Sequence, residues 1–159
     1  MRKGKPLRPA MFAAIVCFLL VNFSTDVGSE DWKVYGKIEP YFVEYYNPGS
    51  LSYPEKHIAK LWIKSICADK NKCRELHKEW IDKGVFSPAY ERWAYRLSLV
   101  EIQCQTKKFR YVTAKNFDEN GKRIDRDEPD EKPTNWVDLK NPWGQPEPLE
   151  DLYKIVCKQ

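Results

Sequence analysis

From Trp32 onward, apolar and polar residues alternate along much of the chain, and the phase of that alternation predicts the first elements. Trp32 to Tyr35 is a short aromatic and β-branched run. Residues 39 to 46 put Tyr41, Val43 and Tyr45 on one period-2 face against Phe42, Glu44 and Tyr46 on the other. They read as a strand that stops at Asn47, Pro48 and Gly49. Lys56 to Ile66 repeats the pattern, with Ala59, Leu61 and Ile63 against Lys60, Trp62 and Lys64. The clearest strand is Trp93 to Cys104, with Trp93, Tyr95, Leu97 and Leu99 on one side and Ala94, Val100, Ile102 and Cys104 on the other. Lys108 to Phe117 follows after a short polar break, and Asp118 to Gly121 is a turn in which Asn and Gly tolerate positive φ. Consecutive strands within reach of a tight turn predict an antiparallel meander.

Two stretches change period. Between Asp69 and Gly84, Cys73, Leu76, His77 and Trp80 fall at helical spacing, Ile81 widens the stripe and Gly84 stops it, so a short helix beside the sheet is expected. After Pro148, Leu149, Leu152, Tyr153 and Val156 recur at intervals of three and four, which predicts a C-terminal helix. Residues 85 to 92 carry Phe86, Pro88 and Tyr90 and suit a bend. Residues 118 to 135 hold only Ile124 as an aliphatic anchor among Asp, Glu, Lys and Pro, and read as an exposed loop; Trp136, Val137 and Leu139 restore an apolar signal before Pro142.

The first residues belong to neither pattern. Arg2, Lys3, Lys5 and Arg8 precede an uncharged run from Ala10 to Val21, the charged head and apolar centre of a secretory signal, too short for a membrane-spanning helix. The expected organisation is a signal peptide over residues 1–29 and a single domain over 30–159, exported to the periplasm or secreted and without a permanent membrane span. Setting the signal aside turns 27 basic and 23 acidic residues into 23 against 22. A domain so nearly neutral gives no general case for nucleic acid, and the local cluster of Lys107, Lys108 and Arg110 does not supply one.

Five cysteines become four by the same step, since Cys17 lies in the apolar centre without the small-residue setting of a lipid-modified cysteine. Cys67, Cys73, Cys104 and Cys157 are an even set in an exported chain, so two disulfides are expected, with three pairings open from counting. Cys67 and Cys73 can close a short loop, while Cys104 and Cys157 would tie the middle of the domain to its end.

Catalytic and metal signals are thin. His57 and His77 belong to no recognisable metal or catalytic spacing, and the cysteine separations lack the close pairs of zinc sites. The acidic run at Asp118, Glu119, Asp125, Asp127, Glu128, Asp130 and Glu131 lacks the ordered spacing of a calcium loop, and Lys122, Arg123, Arg126 and Lys132 offset its charge. No enzyme activity and no cofactor is expected. The aromatic content, 14% of the chain with six Trp and nine Tyr, is more informative. Some of Trp62, Trp80, Trp93 and Trp136 must fill the core, whereas Tyr45, Tyr46 and Tyr53, with Tyr41, surround the turn from Asn47 to Pro54 as a candidate partner-binding patch.

Several short landmarks in order resemble the bacterial surface-adhesin protein E family: Trp32, Tyr45 to Leu51, Ala59 to Lys64, Leu99 to Cys104, Arg110, Asn116 to Gly121, Trp136 with Pro142, and Leu152 to Cys157. The resemblance implies a small exported α+β domain with an antiparallel sheet, and it favours Cys104–Cys157 as a shared disulfide. Cys67–Cys73 would then belong to a helical insertion over residues 66–92 that departs from the family pattern. It further implies a non-catalytic binding module, adhesive toward a protein or glycan at the cell envelope or outside the cell; the alternative is a structural or assembly component of the envelope.

Overall fold

The computed structural model describes residues 31–124, 132–139 and 148–158. The proposed signal segment, the acidic residues Asp125, Asp127, Glu128, Asp130 and Glu131, and Pro142 lie outside the described residues. The architecture is α+β: an antiparallel sheet, a C-terminal helix, a helical insertion and two disulfides.

The strands are β1 (Lys33–Ile38), β2 (Phe42–Tyr46), β3 (Ser52–Glu55), β4 (Ile58–Cys67), β5 (Trp93–Gln103), β6 (Lys108–Asp118) and β7 (Val137–Asp138); the helices are α1 (Lys70–Asp82) and α2 (Leu149–Val156). The sheet order is β1-β2-β4-β5-β6-β7, with β3 also paired to β4. The strand expected over 39–46 begins only at Phe42, because Glu39, Pro40 and Tyr41 form the turn from β1. Asn47 to Leu51 then make an excursion built on a single 3-10 turn, pinned where Asn47 N–H donates to Trp62 O and Trp62 N–H to Ser50 Oγ. Beyond it the chain rejoins β4 as β3, a strand that Pro54 and full exposure disguised in the sequence.

Asp69 caps α1, its carboxylate accepting from Asn71 N–H at 2.9 Å and Lys72 N–H at 3.2 Å, which satisfies two of the orphan donors at the helix start. A 3-10 turn, Pro88–Arg92, returns the chain to β5. Cys67 and Cys73 join the end of β4 to α1, and Cys104 and Cys157 join the end of β5 to the end of α2.

The strand registers sort the side chains of the sheet into two faces. Both helices pack on one of them. There α2 buries Leu149, Leu152 and Val156 against Ala59, Leu61 and Ile63 of β4 and Val100 and Ile102 of β5, with Tyr35 and Phe109 at the margins. Tyr153 Oη donates to Cys104 O at 3.1 Å and Tyr53 Oη to Val156 O at 2.7 Å, so the last turn of α2 is held by two hydroxyls as well as a disulfide. At the other end of α2, Pro148 presses on β1: a Cβ added at Gly36 would stand 2.0 Å from Pro148 Cβ, so only glycine permits this approach.

Candidate functional site

Between α1 and α2 the described residues leave part of the helix-bearing face uncovered, and a cleft of about 280 Å³ lies there. Its floor is a row of polar side chains that run straight across four strands: Glu44 faces Ser65, Ser65 faces Arg96, and Arg96 faces Asn116. Ser98 lies beside this row. Ser65 Oγ donates to Glu44 Oε2 at 2.6 Å, and Tyr35 Oη reaches the same oxygen at 3.4 Å. Asn116 is fixed from two sides, its Oδ1 accepting from Trp93 Nε1 at 2.9 Å and its Nδ2 donating to Tyr90 Oη at 3.0 Å.

The wall on the α1 side is aromatic. His77 is buried at its centre, with ring centroids 4.9 Å from Trp93 and 6.1 to 6.5 Å from Phe42, Trp80, Phe86 and Tyr90. Burial pushes the imidazole below its ordinary value, because the protonated ring would lose hydration in this apolar setting. His57 is placed quite differently: it sits exposed in the β3–β4 turn with φ at 68°, and its carbonyl accepts from Cys104 N–H. A second cavity, about 380 Å³, adjoins the Cys67–Cys73 bond; it is lined by charges of both signs, and Lys70 pairs with Glu119 at 3.1 Å beside it.

The opposite face carries no described helix. One row runs Val34, Tyr45, Lys64, Leu97, Lys115, and the next Lys37, Val43, Ile66, Tyr95, Phe117. Below them Trp62 faces Leu99 and Thr113, and Lys60 faces Glu101 and Arg110. The rows hold five cations and one carboxylate, and that carboxylate is already committed. Glu101 accepts from Arg110 at 2.6 Å and from Lys60 at 3.2 Å. Burial alone would raise its carboxyl, but hydrogen bonds from Arg110 and Lys60, together with their charges, outweigh it and hold Glu101 below the usual carboxylate value. Lys64 Nζ lies 4.8 Å from the Tyr95 ring and 5.7 Å from Trp32, and Arg110 lies 4.5 Å over Trp136. The result is a field of half-buried rings interleaved with cations.

The three tyrosines singled out in the sequence do not share one surface. Tyr46 faces the helices, 6.4 Å edge-on from Tyr35, and packs against the core. Tyr45, its neighbour in an extended strand, points to the open face beside Lys64. Tyr53 is 41% exposed, yet its hydroxyl closes the end of α2. Sequence reading missed Arg96 and Ser98, since single polar residues inside an apolar strand look like its solvent side, and it missed the open-face cations because they come from three strands far apart in the chain.

Among the described residues no group of His, Cys, Asp or Glu converges as a metal site, and no helix is long and apolar enough to cross a membrane. No protein-family model, no curated protein and no solved structure matches the chain.

Proposed function

We propose that this chain is an exported, non-catalytic binding module of the surface-adhesin protein E type, and that it holds its partner on the open face of the sheet. The observation that carries the reading is the arrangement of Tyr45, Trp62 and Tyr95 among Lys60, Lys64 and Lys115 on a sheet face without a described helix. Half-exposed aromatic rings on one face suit stacking against sugar rings or contact with a protein surface. The surplus of cations selects for negative charge and steers it on approach. An anionic glycan meets both requirements. The two disulfides suit an oxidising compartment outside the cytoplasm.

Retention on immobilised polygalacturonate tests the reading, with neutral dextran as the control. Binding should weaken as salt rises. The Lys64→Gln/Lys115→Gln double variant should bind about tenfold more weakly than the parent while melting at the same temperature. Equal retention on dextran, or no effect of the double variant, would reject the open face as the contact surface; capture of an acidic protein in place of the polysaccharide would redirect the partner class.

A further inference from the structure

Arg96 stands out on the floor of the cleft. Its Nε is buried without a hydrogen-bond partner, and among the described residues no carboxylate lies within ion-pair distance of the guanidinium. The face of Tyr111, 5.2 Å from Cζ, is what the structure offers this charge. A guanidinium cannot shed its proton at any ordinary pH, so partial burial leaves a permanent positive charge undercompensated. The surroundings make it selective: Phe42, Trp80 and Trp93 supply apolar aromatic wall, and Ser98 lines the same cleft.

We infer that this cleft is a second binding site, separate from the open face, for a small aromatic or compact apolar carboxylate whose negative group seats on Arg96. The volume of about 280 Å³ lies just below the common range for drug-sized ligands, so one ring with its acid group is the appropriate size. A carboxylate fits the planar fork of arginine with two parallel hydrogen bonds, which a neutral amide cannot reproduce. Glu44, two strands away on the same floor, opposes any ligand carrying a second negative charge and restricts the site to monoanions.

Benzoate is the probe and benzamide its neutral isostere, titrated into the intact protein while the Arg96 Nε–H resonance and tryptophan fluorescence are followed. Trp80 and Trp93 line the cleft and report directly. Benzoate should shift the arginine resonance saturably and bind about tenfold or more tightly than benzamide. Arg96→Gln should remove that preference, whereas Lys64→Gln/Lys115→Gln should keep it, and Arg96→Gln should still bind polygalacturonate. Equal binding of the two probes, or no binding by the folded parent, overturns the proposal without needing any variant. An undiminished benzoate preference in Arg96→Gln overturns it as well. Each result leaves the open-face reading to stand or fall on its own experiment.

Discussion

The two faces of one sheet do opposite things with similar side chains. On the helix-bearing face, Leu61, Val100, Ile102, Leu152 and Val156 are fully buried, and the apolar contacts close on one another. On the other face, Leu97, Leu99, Trp62 and Tyr45 stay half-buried among lysines. Apolar residues therefore do not by themselves say which side of a strand is core; what lies across from them does. A row ending in Leu149 or Leu152 stabilises the fold, whereas a row ending in Lys64 or Lys115 leaves a surface that attracts something else.

Loss of the Cys104–Cys157 bond should give the largest change, because it frees the helix that defines the covered face. The double Cys→Ser protein should lose about 2–5 kcal/mol in denaturant unfolding, and the Cys67/Cys73 double variant, which opens a much shorter loop, should lose less. Equal losses would mean that α2 is held by its apolar contacts and by Tyr53 and Tyr153 rather than by the bond.

Tyr46 and Tyr45 compare the faces with one residue type and one sequence step. Tyr46→Ala should cost about 2 kcal/mol, since it opens a hole beside Tyr35, whereas Tyr45→Ala should cost under about 1 kcal/mol. Reversed values would exchange the roles of the faces. Gly36→Ala attacks the covered face from its edge. The new methyl collides with Pro148, and the displacement should destabilise by about 1–3 kcal/mol, read as a lowered unfolding midpoint.

The pH response should also divide by face. Burial holds His77 below the ordinary imidazole value of 6.5 in the folded protein, so the unfolded chain takes up its proton first as pH falls. Stability contributed by the neutral ring is complete above about pH 6.5 and declines below it until the folded value is reached. Glu101 is likewise depressed, so its contribution is present above the ordinary carboxyl value of 4.5 and is lost at lower pH. Thermal melts of His77→Phe should lack the upper decline and keep the lower one; an unchanged profile would place the upper transition elsewhere.

Much of the fold was legible in the sequence because alternation and helical spacing are local signals. The stripe of Leu149, Leu152 and Val156 and the alternation from Ala59 to Ile63 correspond to α2 and β4 almost residue for residue. The candidate sites were harder to read for two physical reasons. A bulge between Trp93 and Tyr95 breaks the phase, so two residues that alternate onto one face in an ideal strand end on opposite ones: Trp93 turns to Asn116 and His77, and Tyr95 stacks on Phe117. Charge was hidden by averaging. A nearly neutral composition conceals the fact that Lys37, Lys60, Lys64, Arg110 and Lys115 converge on one face, because strand order and not chain order brings them together.

The division of labour between the faces is tested most directly by methyl NMR during titration with polygalacturonate. Leu97 and Leu99 report from the open face, Leu61 and Leu152 from the core between α2 and the sheet. The Leu97 and Leu99 methyl resonances should move with added polysaccharide while those of Leu61 and Leu152 stay in place. Movement of Leu61 and Leu152 with Leu97 and Leu99 unchanged would contradict that division.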